Sequence, residues 1–241
     1  WLGSKYNITL NNLNVIEGLI LYSPKRYEDR ESYGNGTFRV RPRSRLQLKY
    51  KTDPSKIISY ESSLTYQGQE YRGAKTEGEF EFTWFPKNNI SFSTKLKYVD
   101  GGGGWLLHQE EKDFTSFFHQ KWETDFKFNY FINAKQQLSL NLQWVGIQAQ
   151  ENDFYTIDAE KYILNQISKP YAESDNFSVS DLNIQLRYRW QIAPLSDVYF
   201  VLTKSGSNTA KYTSFNDLAE DTFDNPISDQ IILKIRYRFG S

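Results

Sequence analysis

The run Ile231-Ile232-Leu233-Lys234-Ile235-Arg236-Tyr237-Arg238-Phe239 decides how this chain is read. Ile231, Leu233, Ile235, Tyr237 and Phe239 take every second place, and from Lys234 onward the places between them are cationic. A strand repeats every two residues, so the segment carries one apolar and one charged face. Working outward, the same alternation returns along the chain. Leu46, Leu48 and Tyr50 oppose Arg45, Gln47 and Lys49, and Tyr60, Leu64 and Tyr66 oppose Glu61, Ser63 and Thr65. Phe80, Phe82 and Trp84 oppose Glu79 and Glu81, and Phe92, Leu96 and Tyr98 oppose Lys95 and Lys97. Trp122, Phe126, Phe128 and Tyr130 oppose His119, Glu123, Asp125 and Lys127. Leu138, Leu140, Leu142 and Trp144 follow, and then Leu186, Tyr188 and Trp190 against Arg187 and Arg189. About ten strands result. The first, within 5–22, is the least regular, and the facing of 198–204 is ambiguous.

Tight turns are expected at 53–56, 86–89, 133–136 and 191–196; Asp53-Pro54-Ser55-Lys56 is one, because proline presets φ for a reversal. Long connections are expected at 23–42, 100–112, 150–178 and 205–227. Short turns at one end and long loops at the other are the habit of outer-membrane barrels. Aromatics gather by height in the same sense. Tyr50, Tyr60, Trp84, Tyr188, Trp190, Tyr237 and Phe239 lie near the tight turns, Tyr66, Tyr98, Phe118 and Trp144 lie at or toward the other end, and Trp122 also faces the membrane. Rings at one level form a girdle where membrane meets water. The expected fold is therefore an all-β, antiparallel up-and-down transmembrane barrel over 1–241, its lumen lined by Arg45, Lys49, Glu61, Glu79, Glu81, Lys95, Lys97, Glu123, Asp125, Lys127, Arg187, Arg189, Lys234, Arg236 and Arg238.

Composition agrees. The 241 residues carry 29 basic and 29 acidic side chains, which gives no electrostatic footprint for nucleic acid. Mean hydropathy is −0.66 and no apolar run approaches the length of a spanning helix, whereas a barrel strand needs only alternate apolar residues. Cysteine is absent, which removes disulfides and thiolate chemistry. With no methionine and no leader ahead of Trp1, the chain is expected to be the C-terminal portion of a longer protein.

Tyr27-Glu28-Asp29-Arg30-Glu31 with Gly34-Asn35-Gly36, Thr52-Asp53-Pro54-Ser55-Lys56, Ser196-Asp197-Val198-Tyr199 and Ile235-Arg236-Tyr237-Arg238-Phe239 carry a family resemblance. In these segments the chain resembles a Gram-negative outer-membrane barrel family of unknown function, common in Bacteroidetes. There the barrel follows a carbohydrate-binding-like family 9 domain. Arg41-Pro42-Arg43-Ser44 departs from that family, which usually has an aromatic-bearing Pro-Gly segment here. The resemblance implies further strands and an upstream domain, and no catalytic residues.

Three functions are weighed. The first is passage of small polar solutes or saccharides, for which the cationic strands bearing Arg187, Arg189, Lys234, Arg236 and Arg238 form the sharpest wall. Against it stands a lumen filled by cross-strand ion pairs, which suits the second, a non-conducting anchor or scaffold subunit. The third is a barrel-embedded hydrolase using His108 beside Glu110, Glu111 and Asp113; a solvated loop histidine is the simpler account. Lipid and lipopolysaccharide are the expected partners, with other outer-membrane proteins reached through the long loops, and no cofactor is expected. Three local expectations complete the reading. The run 101–104 of four glycines is a hairpin tip, 158–168 is a short helix opened by Asp158, and Asp217, Glu220, Asp221 and Asp224 stand in a solvated acidic loop.

Overall fold

The structure, a computed structural model, describes residues 1–69 and 71–239. In chain order the elements are β1 (Leu2–Thr9), β2 (Val15–Ser23), β3 (Arg26–Glu28), β4 (Phe38–Val40), β5 (Arg43–Lys51), β6 (Ile58–Gly68), β7 (Ala74–Lys87) and β8 (Ile90–His108). They continue with β9 (Asp113–Asn133), β10 (Gln136–Asp158), β11 (Ile163–Ile167), β12 (Phe177–Ala193), β13 (Ser196–Lys211), α1 (Phe215–Asp224) and β14 (Ser228–Arg236). One sheet of 12 strands takes all but β3 and β4. Its path is β1-β2-β5-β6-β7-β8-β9-β10-β12-β13-β14, with β11 paired to β10. Sequential neighbours pair antiparallel throughout, as a meander with short hairpins requires.

The register sorts the side chains as alternation demands. Tyr60 lies opposite Phe82, Trp84 opposite Phe92, Tyr98 opposite Trp122, Leu140 opposite both Phe128 and Leu186, and Leu202 opposite both Leu186 and Ile231. This apolar face runs unbroken across the path. Much of it is open: Leu64 is 67% exposed, Leu233 64% and Ile235 63%. The ambiguous run 198–204 is settled by pairing, with Val198, Phe200 and Leu202 on the apolar side and Tyr199, Val201 and Thr203 on the other.

Several expectations are corrected. The irregular first strand is two, β1 and β2, because Asn11-Asn12-Leu13-Asn14 reverses the chain, with Leu13 at φ 65. The path therefore holds eleven strands rather than ten, and among the described residues β1 does not pair with β14, so the sheet is open. The segment at 100–112 is mostly strand, closed by a short turn after His108. The run 101–104 lies inside β8 and is no tip. No helix starts at Asp158. Its carboxylate caps a turn by accepting from the Glu160 and Lys161 N–H groups, and β11 follows. The strand ladder ends at Arg236, so Tyr237, Arg238 and Phe239 lie past it.

The helix is α1, on the supposed acidic loop. Ser214 caps it, accepting from the Asp217 N–H at 3.2 Å while donating to the Asp217 carboxylate at 2.7 Å. The helix lies on the apolar face of β10, β12 and β13, where Gly146, Ser180 and Gly206 leave room. A Cβ at Gly206 would overlap the Thr222 carbonyl oxygen. Leu218 and Thr222 are fully buried beneath it, and Trp144 meets Phe215 edge-on at 6.3 Å. Leu218→Ala should cost about 2–5 kcal/mol of local stability, the usual range for a buried leucine. Faster tryptic cleavage after Lys211 with an intact sheet would show it; an unchanged rate would mean that Leu218 does not hold the helix down.

Candidate functional site: the polar face

Opposite the apolar side, the register aligns the charged residues named above. Lys49 pairs with Glu61, while Lys51 reaches Glu17 at 3.0 Å and Glu61 at 3.5 Å. Lys95 meets Glu79 at 3.1 Å, Lys97 meets Glu123 at 3.7 Å, and Lys127 meets Asp125 at 3.4 Å. Glu81 stands in register between Glu61 and Lys95, and Arg45 between Leu21 and Gln67. Pairs this exposed are worth about 0–1 kcal/mol each, so their effect is to keep the wall from β2 to β9 near neutrality rather than to hold the fold.

Strands β12 to β14 differ. Toward their turn end stand Arg187, Arg189, Lys234 and Arg236, with Arg238 just beyond, its N–H on Ser196 Oγ at 3.0 Å. Asp197 is buried between two of them, 3.0 Å from Arg189 and 2.5 Å from Arg236. Arg187 donates to the Gln185 side chain at 3.2 Å, and no ion pair joins Arg187 or Lys234 to a carboxylate among the described residues. The wall is thus cationic at this place.

The opposite face carries aromatic rows toward both ends. Tyr50, Tyr60, Trp84 and Phe92 form ring contacts of 5.4–5.9 Å near the tight turns, and Tyr98 and Trp122 meet at 4.8 Å at the other end. Tyr188 and Trp190 share rows with Phe200 and Val198. Trp144 is on the same face but is covered by α1, its indole N–H donating to Ser180 Oγ at 2.8 Å. Tyr237 and Phe239 touch each other at 4.9 Å past the end of β14.

Beyond the Tyr98–Trp122 row, the long-loop end is locked. The β3–β4 hairpin reaches across the strand order, so that Phe38 and Val40 pack with Phe114, Tyr155, Ile157 and Leu164. Asp153 accepts from Arg72 at 2.6 Å, Gln166 at 2.9 Å and the Tyr155 hydroxyl at 3.1 Å. Burial, helped by that carboxylate, pushes the Tyr155 phenol up to about 12. Burial works to raise the Glu151 carboxyl, but Lys169 at 2.7 Å and the Asp175 N–H at 2.7 Å outweigh it and hold Glu151 below the usual range.

His108 touches Tyr33 and Phe114 and lies 2.8 Å from the Glu111 carbonyl oxygen and 3.5 Å from the Asn35 amide. Those neighbours are two rings, a carbonyl and an amide. His119 has its Nδ1 buried without a partner among the described residues. Its ring instead meets Trp105 edge-on at 4.9 Å, in a group with Phe117 and Phe177. That group was missed, because reading 101–104 as a tip left Trp105 in a loop.

The arrangement defines a class: a wide antiparallel sheet with one lipid-like and one ionic face. The chain belongs to the domain family of unknown function DUF5916, whose model matches residues 1–239. Among solved structures it is similar to the ferric citrate transporter FecA in its unliganded form, with 14% identity and a TM-score of 0.44. That likeness covers 86% of this chain and 38% of the transporter, so the chain spans well under half of that protein's length. A comparison with curated proteins found no match.

Proposed function

We propose that this domain is an arc of a β-barrel wall in the outer membrane of a Gram-negative bacterium, past which small polar solutes move. One observation carries the reading. Each strand of the path puts an apolar row on the same face, that face is largely uncovered, and the ionic residues of the strands stand on the other, save Asp100, Lys204 and Asp229 toward the long-loop end. An open apolar patch of this size is far beyond what a monomer in water tolerates, whereas hydrocarbon and lipopolysaccharide would satisfy it.

Closure follows from parity. In an antiparallel path of eleven strands, β1 and β14 run the same way, so joining them directly would make one parallel seam. Bacterial barrels of this kind are antiparallel with even strand numbers, and hydrocarbon tolerates no unpaired edge. The ring therefore closes through an odd number of further strands. With the tight turns on the periplasmic side, as in other such barrels, the long loops face outward. In this reading a carbohydrate-binding-like family 9 domain precedes the barrel, on the resemblance of the first loop and turn, and saccharides are the first solutes to test. No catalytic step is assigned.

The ion pairs from β2 to β9 favour a second reading, a filled ring that anchors neighbouring proteins through its locked loop end. Planar bilayers separate the two. Folded full-length protein should give discrete open-channel steps in KCl; sustained silence with confirmed insertion would leave only the anchor.

A further inference from the structure

The four glycines of β8 build a second feature on the polar face. Gly101 pairs with His119 and Trp105 with Phe117, so four steps on β8 match two on β9. The two extra residues leave the alternation unchanged, so Trp105 stays on the polar face with Lys95 and Lys97 while the strand bends locally. Each glycine used here is sterically required. A Cβ at Gly101 would overlap the His119 ring, and one at Gly104 would overlap the Arg72 carbonyl oxygen. The Gly104 N–H donates to Gln69 Oε1 at 2.9 Å and so orients that amide.

The result is a cleft of about 410 Å³ whose lining includes Trp105, His119, Gln67, Gln69 and Lys75, with Phe38 from the β3–β4 hairpin. That volume falls within the common range for small-molecule sites. Its chemistry is mixed. An indole wall is joined by two primary amides and by an imidazole whose buried Nδ1 lacks a partner among the described residues. Lys75 is bridged to Glu77 at 2.6 Å, and the other charged residues of the lining, Arg43 and Glu31, are of opposite sign, so no cationic surplus selects for an anion.

We infer that this cleft is a binding site for a neutral saccharide ring, the C–H face of the sugar on the Trp105 indole and its hydroxyls on Gln67, Gln69 and His119. An indole offers an apolar body for a ring to lie on, and primary amides can donate and accept to adjacent hydroxyls. The inference deepens the passage reading by naming its solute, and rests on it for the role of the site, while binding itself can be measured without conduction.

Purified folded protein is titrated with maltose, cellobiose and glucose 6-phosphate by saturation-transfer NMR, and the same preparations are tested in planar bilayers. Saturable binding of a neutral disaccharide is expected, weakened at least tenfold by Trp105→Leu. Gln67→Ala, which leaves the aromatic packing untouched, should also weaken it. The assignment is overturned by no saturation with either disaccharide, by wild-type affinity in both variants, or by binding of glucose 6-phosphate alone. Binding without conductance supports the site and removes passage; conductance without binding removes the site alone.

Discussion

Leu202→Arg is expected to abolish insertion of the folded domain into liposomes, while Thr203→Arg, one residue on, leaves it nearly intact. The two positions share a strand, a depth and a backbone environment. Leu202 lies opposite Leu186 and Ile231 on the apolar face; Thr203 lies opposite Gln185 and Gln230 on the polar one. An arginine facing lipid near the bilayer midplane costs about 2–4 kcal/mol, a change of roughly thirtyfold to a thousandfold in the folding equilibrium. On the lumen side, with no charged residue directly opposite, the cost should be near zero. Folding yield and resistance to added protease report the outcome. If Thr203→Arg does equal or greater damage, the faces have been assigned the wrong way round, and the barrel reading goes with them.

How much was legible beforehand depends on range. Alternation is a local signal, and it placed nine of the path strands and both faces correctly, because a one-residue slip would move every side chain to the other side. It could not resolve 198–204, where Tyr199 and Val201 make both faces apolar; only pairing with Arg189, Arg187 and β14 decides that run. It merged β1 with β2, since Leu10-Asn11-Asn12-Leu13-Asn14 has no proline or glycine to mark the reversal. It read Gly101-Gly102-Gly103-Gly104 as a tip because glycine usually punctuates, whereas here the glycines admit the His119 ring and the Arg72 backbone. The Ser214-x-x-Asp217 cap was readable as a helix start and was passed over for its acidic surroundings. The polar-face residues were legible because charge alternates with the strand; the Trp105 cleft was not, since its walls come from seven separate segments.

The unforeseen helix also sets a boundary. The outer side of α1 exposes Asp217, Glu220, Asp221 and Asp224, which cannot lie in hydrocarbon. The bilayer core on β12 must then end at the Ile184 row, where Lys204 sets its amine over the Phe223 ring of α1, leaving Ile184, Leu186, Tyr188, Trp190 and Ile192 from that boundary downward. That is about nine residues, the length of a tilted transmembrane strand. Trp144, with its N–H on Ser180 and its ring on Phe215, sits at the resulting interface, where an indole is best placed.

The second large effect concerns the cationic wall. Reversing Arg189 or Arg236 would be a poor test, because both hold the buried Asp197 carboxylate and the variant would lose that anchor as well. Arg187 and Lys234 have no such duty among the described residues, so the double variant Arg187→Glu/Lys234→Glu changes field with little change of structure. It shifts the wall by four elementary charges. For an ion about 10 Å away in water, that is about 1.7 kcal/mol unscreened and about 0.6 kcal/mol at 0.1 M salt, where the Debye length is about 10 Å. Cations gain and anions lose by that amount, so the cation-to-anion permeability ratio should rise about eightfold, read as a reversal-potential shift in a KCl gradient. The shift should shrink steeply at 1 M salt, where screening falls to about 3 Å. A conducting channel whose selectivity ignores the double variant at 0.1 M would show that ions pass elsewhere, and that β12 to β14 do not line the path.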